Sequence, residues 1–270
     1  MNDLIERYIE HCERRNLRPT YITNQWLALR RLARGIESDL LQVTTERLEA
    51  YLDGRGHGPG ARATEIACFR GFYTWALDEE LIADSPARKL TRPRLPTRLP
   101  RPMPDADITR ALAEAPCTVA PILNLAVYAG LRACEIAQLR AEDLHGDQAL
   151  LVVRESKGGG ETTVPISLVL ASVLERCPLP TAGWLFPNRS GDAHLSRSRI
   201  CQLANRYLSG LGIEHTLHSL RHAYGTALYR STRDLRLTQE LMRHRSVQST
   251  VGYTQLDTQD RAAALSKLLW

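Results

Sequence analysis

Pro86-Ala-Arg-Lys-Leu-Thr-Arg-Pro-Arg-Leu-Pro-Thr-Arg-Leu-Pro-Arg-Pro-Met-Pro104 divides this chain in two. Prolines at 86, 93, 96, 100, 102 and 104 remove backbone donors and fix φ too often for helix or sheet to persist, so the stretch reads as an extended, semi-rigid connector. It also carries Arg88, Lys89, Arg92, Arg94, Arg98 and Arg101. An interdomain linker explains the prolines. The charge is explained only if something anionic lies alongside, so these six side chains are candidate contacts to a nucleic-acid backbone. The expected division is a domain over 1–85, a basic linker over 86–103 and a second domain over 104–270.

Upstream of the linker every periodic signal is helical. Leu4, Ile5, Tyr8, Ile9 and Cys12 fall on one face, as do Ile22, Trp26, Leu29 and Leu32 after a start at Pro19 and Thr20. A short third helix is expected from Thr44 or Thr45 through Leu52. Gly54-Arg-Gly-His-Gly-Pro-Gly60 reads as a loop, and a longer helix follows with Ile66, Phe69, Tyr73, Ala76 and Leu77 as its apolar stripe. This predicts an all-α bundle of about four helices.

Downstream the pattern is mixed. Helices are expected near Asp105–Ala115 and Ala120–Ala129. Two strands, Ala149–Glu155 and Thr162–Ile166, are joined by a turn carrying Lys157-Gly158-Gly159-Gly160. From Ser196 to Trp270 the chain reads as helices with brief loops. The fold class is therefore mainly α with a small antiparallel β-sheet in the second domain.

The bulk numbers limit the partners. The 270 residues carry a formal charge of +5, which suits a polyanion. No apolar stretch reaches membrane-spanning length, and Met1-Asn2-Asp3 does not open a secretory signal, so a cytoplasmic, nucleoid-associated protein is expected. Six scattered cysteines without a CxxC pair suggest reduced core thiols, with neither disulfides nor a zinc site. Only Lys89, Lys157 and Lys267 are lysines, so arginine supplies 32 of the 35 basic residues. A GC-rich genome is one cause of that bias. Lysine, unlike arginine, can give up a proton near neutral pH, which singles out Lys157 on its turn.

Three short motifs in the second domain carry chemistry. In Gly130-Leu131-Arg132-Ala133-Cys134-Glu135, helical spacing lets Glu135 hold the Arg132 guanidinium; a solvated surface pair is the plainer reading of the same spacing. In His218-Ser219-Leu220-Arg221-His222, an imidazole and a donor fork share one helix face. A buried histidine beside a surface arginine fits that motif equally well. The third, Arg243-His244-Arg245-Ser246-Val247-Gln248-Ser249-Thr250, leads to Tyr253, one of nine tyrosines and unremarkable by itself.

The ordered set, GLRxxE, a lysine on a hairpin turn, HxLRH, then His-Ser-Val-Gln-Ser-Thr-x-x-Tyr-Thr, resembles the phage-integrase family of tyrosine recombinases. The resemblance spans essentially the whole chain: Phe72-Tyr73-x-Trp75 and Ser85-Pro86 are similar to the core-binding domain, and Pro104 onward to the catalytic domain, in the manner of the Xer-like recombinases. It implies a site of Arg132, Lys157, His218, Arg221, His244 and Tyr253, with Glu135 and His222 in support. It also implies duplex DNA as substrate, tetramers on paired sites with exchange of a C-terminal helix (Thr258 to Trp270), accessory DNA-bending proteins, and no metal, ATP or other cofactor. Two positions depart from the family pattern. Arg243 stands where glycine is common, and Gln255 where a histidine is often found. Arg243 is expected to add bulk and charge beside the site, slowing cleavage or adding a phosphate contact.

Two other readings share these motifs. A type IB topoisomerase would use the same covalent chemistry on a single duplex. An accessory DNA-binding protein would keep the fold without the reaction.

Overall fold

The structure is a computed structural model that describes residues 2–36, 38–95, 100–154, 160–244 and 250–251. It forms two compact units, Met1–Thr97 and Arg98–Trp270.

Among the described residues the first unit contains four α-helices: α1 (Asn2–Arg14), α2 (Pro19–Ile36), α3 (Thr45–Gly54) and α4 (Pro59–Asp78). Their boundaries follow local chemistry. Thr44 caps α3 by accepting from the Arg47 N–H at 3.3 Å. The glycine-rich loop is shorter than its composition suggests. Gly54 still belongs to α3, and Pro59 and Gly60 already belong to α4, because proline at N1 lacks only a donor the helix would leave unused.

Ile5, Tyr8, Leu29, Leu32, Ile66, Phe69, Phe72 and Tyr73 are buried in one cluster. Tyr8 meets Phe72 edge-on at 5.4 Å, and the buried Tyr73 hydroxyl donates to the Leu40 carbonyl at 2.9 Å. The α4 stripe differs from expectation at one end. Leu77 is 39% exposed, whereas Phe72 and Trp75 are buried, because α4 is packed on more than one side.

The proline-rich stretch contains neither helix nor strand among its described residues, but both its ends are anchored. Ala87 and Leu90 are buried in the first core. Pro86 O accepts from Thr45 Oγ1 at 2.8 Å, and Arg70 donates to Ala87 O at 3.3 Å and Leu90 O at 2.7 Å. At the other end Met103 is buried in the second core, and its N–H donates to Ser219 O at 3.1 Å. Arg88, Lys89, Arg92, Arg94 and Arg101 are exposed; Arg98 lies outside the described residues.

In the second unit, α5 (Asp105–Ala113) is followed by α6 (Ala120–Tyr128), whose Ile122, Leu123, Leu125 and Ala126 are fully buried. Against α6 pack α7 (Ala133–Ala137), α8 (Leu168–Arg176), α9 (Arg197–Gly210) and α10 (Leu217–Thr232); α11 (Leu235–Leu241) packs on α10. The two expected strands are present as β2 (Leu150–Arg154) and β3 (Glu161–Pro165), antiparallel with Leu151 opposite Val164. Leu151, Val153 and Val164 point into the core at the two-residue period of a half-buried sheet.

A third strand, β1 (Leu144–His145), pairs with β2 on its other edge. Neither β1 nor α8 is among the elements expected from sequence; in β1, two residues are too few for alternation to register. The turn that carries Lys157 lies outside the described residues.

The anchoring of the connector generates the first prediction. Arg70→Ala removes the three hydrogen bonds, from Nε and Nη2, that hold 87–90 against α4. Tryptic cleavage after Arg88 and Lys89 is expected to accelerate several-fold, with a stability loss of about 1–2 kcal/mol. Proteolysis at an unchanged rate would show that burial of Ala87 and Leu90 suffices.

Candidate active site

Gly130 begins the site. Its φ of +59° is a conformation that side chains rarely adopt, and an added Cβ would come within 2.3 Å of the Tyr224 ring. This turn ends the buried α6 and aims the Gly130 carbonyl at two guanidiniums. Arg221 Nη1 donates to it, and Arg243 Nη2 donates to it at 2.9 Å.

Two residues on, Arg132 stands just ahead of α7 in extended conformation rather than within the helix. Glu135 is the third residue of that helix and reaches back. Its Oε2 accepts from the Arg132 N–H at 2.8 Å, and its Oε1 from Arg132 Nη1 at 2.6 Å. The expected pairing is present, but its geometry is that of a helix N-terminus, not of two side chains on one helical face.

Glu135 is buried, so the surface-pair reading fails. Its carboxylate also lies 3.1 Å from Arg243 Nη2 and 3.8 Å from Arg221 Nη1. Burial alone would raise its pKa. The Arg243 guanidinium, the Arg132 N–H and the other two guanidiniums outweigh that and hold it below the usual carboxylate range.

The first turns of α10 invert the alternative reading of the second motif. Arg221 is 1% exposed, whereas His218 is exposed. Arg221 Nη2 donates to Met242 O, so both its terminal nitrogens meet main-chain carbonyls. The His218 and His222 rings lie edge to face, 4.3 Å apart.

After α11 the chain enters Arg243 with φ +52°. The Arg243 side chain is buried and turned inward, donating to Leu241 O at 2.9 Å as well as to Gly130 O and Glu135. Its bulk and charge do stand beside the site, turned inward onto Glu135 and main-chain carbonyls. The arginine main chain contributes too, since Arg243 O accepts from Arg132 Nη2 at 2.9 Å.

His244 is fixed by reciprocal bonds with Gln239, its N–H to Gln239 O and its O from Gln239 Nε2, both 3.0 Å. Its Nδ1 lies 3.0 Å from the hydroxyl of the fully buried Thr250.

The structure thus brings Arg132, Glu135, His218, Arg221, His222 and His244 to one place. Lys157, Tyr253 and Gln255 lie outside the described residues. Sequence reasoning missed three contributors: the Gly130 carbonyl, Thr250 beneath His244, and the inward role of Arg243. Only the last had a signal, as a departure from the family's glycine.

The imidazoles are held neutral. Burial, then the competing His218 ring and the Arg221 guanidinium, lowers the His222 pKa to about 4. Burial, then Arg221 and Arg132, lowers that of His244 to about 3. His218, though partly open to solvent, is lowered by partial desolvation first and then by Arg221, Arg132 and Arg197. Among the described residues no group of three or more His, Cys, Asp or Glu is placed to hold a metal, and no helix is long and apolar enough to cross a membrane.

Comparison with known proteins places the chain in a family. The profile of the phage integrase family matches residues 106–260. Tyrosine recombinase XerC of Xanthomonas campestris pv. campestris is 34% identical over 247 residues, covering 85% of this chain and 75% of that protein. The integrase from mycobacterium phage Brujita superposes with TM-score 0.51 at 27% identity, over 97% of this chain and 90% of that one. A lambda integrase dimer bound to a COC′ core site superposes with TM-score 0.76 at 19% identity, over 94% and 76%. The chain belongs to the phage integrase family, and is an enzyme of the tyrosine recombinase class, a site-specific recombinase.

Two outcomes follow from the geometry. Gly130→Ala forces a side chain into the left-handed region and against Tyr224, and is expected to cost about 2 kcal/mol or more of stability, measured by urea unfolding. A change within about 0.5 kcal/mol would mean that the turn yields easily.

The histidines govern the acid limb. An unfolded chain protonates them near pH 6.5, but the fold resists until about pH 4 for His222 and 3 for His244. Their contribution to stability is therefore complete above pH 6.5 and declines as pH falls toward 4. Urea midpoints should drop across that interval, and His222→Asn should flatten the slope. An unchanged slope in the variant would remove His222 from the account.

Proposed function

We propose that this recombinase cleaves and rejoins duplex DNA through a 3′-phosphotyrosine formed on Tyr253. One observation carries the reading: Arg132 and Arg221 converge on a single buried carboxylate, beside neutral histidines, at the mouth of the segment that leads to Tyr253. Three guanidiniums about one carboxylate leave a surplus of positive charge that an incoming phosphodiester would offset.

The proposed roles follow from phosphoryl-transfer chemistry. Charge spreads over the non-bridging oxygens of the reacting phosphate, and Arg132 and Arg221 donate to them. Arg221 does so by exchanging its carbonyl partners for phosphate oxygens. His244, neutral before substrate arrives, offers a further hydrogen bond from Nε2, while its Nδ1 stays with Thr250. His218, exposed and neutral, accepts the Tyr253 proton. Lys157 protonates the departing 5′-oxygen, and rejoining reverses the sequence. Bond energy is kept in the phosphotyrosine, so the scheme requires neither ATP nor metal. Glu135 orients Arg132, and His222 packs on His218.

In domain terms, residues 1–85 form the core-binding domain, 86–103 the basic connector and 104–270 the catalytic domain. Phosphate contacts through Arg88, Lys89, Arg92, Arg94, Arg98 and Arg101 are proposed to supply affinity that declines with salt. Solved relatives include a lambda integrase tetramer bound to a Holliday junction and XerH bound to its difH substrate. By analogy this chain works as a tetramer on paired sites, with the segment Thr258–Trp270 exchanged between subunits and accessory DNA-bending proteins in attendance. Its place is the cytoplasm, on the nucleoid.

The test is covalent capture. Nicked duplex fragments from the DNA flanking the gene, incubated with protein and run on denaturing gels, are expected to yield a protein–DNA band with wild type and none with Tyr253→Phe. Both proteins should bind alike on native gels. Tight binding without adduct on any nicked fragment would favour an accessory protein, and relaxation of single duplexes without site preference a topoisomerase.

A further inference from the structure

Arg243 is the residue of this site that its surroundings do least to explain. It occupies φ +52°, where glycine is at no disadvantage and arginine is strained. Its guanidinium is nonetheless buried, which costs desolvation unless partners repay it. The partners are specific. They are Leu241 O at 2.9 Å on its own segment, Gly130 O at 2.9 Å on the turn before Arg132, and Glu135 Oε2 at 3.1 Å. Gly130 O is shared with Arg221, and Glu135 is the carboxylate that holds Arg132. The Arg243 carbonyl closes the circuit by accepting from Arg132 Nη2. One residue thus ties the segment bearing His244 to both of the other arginines.

We propose that Arg243 is a positioning residue of this recombinase: its buried guanidinium bridges the Gly130 carbonyl and Glu135, setting Arg132 and Arg221 and adding a third positive charge behind the two that meet the phosphate. The inference rests on the proposed cleavage chemistry. By taking hydrogen bonds at Gly130 O and Glu135 Oε2, Arg243 lets Arg221 turn toward substrate without leaving those buried oxygens unmatched. Any oxyanion entering the site then meets a field of three guanidiniums against one carboxylate.

The experiment exploits the backbone. Arg243→Gly relieves the positive-φ strain while deleting the guanidinium, so a purely structural arginine would be replaced with little harm. On nicked substrates the variant is expected to form adduct about 10- to 100-fold more slowly than wild type, with native-gel DNA affinity little changed. Millimolar methylguanidinium should restore part of the rate in Arg243→Gly and do nothing for wild type. Inorganic phosphate should raise the melting temperature of wild type more than that of the variant. Arg243→Lys, which keeps charge but not the two-pronged geometry, should fall between.

Cleavage by Arg243→Gly at the wild-type rate, or a slow rate that methylguanidinium does not lift while the melting temperature collapses, would overturn the proposal. Adduct from wild type that Tyr253→Phe lacks certifies the underlying chemistry independently. If wild type itself gave none, that chemistry would fall and this inference with it.

Discussion

A carboxylate removed from water must be matched by charge and by hydrogen bonds, and in this protein the matching of Glu135 organises the second unit. Its partners come from three places: the start of α7 through Arg132, the start of α10 through Arg221, and the segment after α11 through Arg243. The left-handed turn at Gly130, packed under Tyr224, supplies a carbonyl to two of the same guanidiniums. Removing any one member would leave another buried charge or donor short of a partner. Such losses are costly in a low-dielectric interior.

The surplus of guanidinium over carboxylate has a second consequence, for the histidines. Positive neighbours and burial both oppose protonation, so His222 and His244 remain neutral far below their ordinary range. The same field that would welcome a phosphodiester keeps imidazoles in the form able to accept a proton. Acid–base tuning and anion attraction are here two effects of one cluster. A phosphate entering it would partly cancel the field and raise the histidines' affinity for protons.

The two units solve different problems. The first is a bundle that encloses Tyr8, Phe69, Phe72 and Tyr73 among the aliphatic side chains of its helices. The second wraps helices around α6 and places a small sheet at its side. Between them the connector is more securely held than its prolines suggest. Ala87 and Leu90 belong to one core and Met103 to the other, leaving its exposed arginines on a short span with anchored ends. Short, anchored spans keep charged side chains in register with a partner at less entropic cost than a free linker would.

Local sequence determined a great deal. Periodicity located the helices of the bundle and the two longer strands, proline density located a stretch without helix or strand among its described residues, and the ordered motifs held the arginines and histidines that the structure brings together. These are properties a few neighbouring residues can specify. Tertiary structure decided the rest. The pair formed by Arg132 and Glu135 could be read from spacing, but its burial and its third arginine could not, since Gly130, Glu135 and Arg243 meet across more than a hundred residues of chain. The same holds for Arg221, fully enclosed where its motif allowed a surface position, and for the two-residue strand β1, which exists only because β2 offers it an edge. Spacing along a chain records which side chains can share a face. Which of them lose their water, and to which partner they turn when they do, is settled by packing between segments that the sequence keeps far apart.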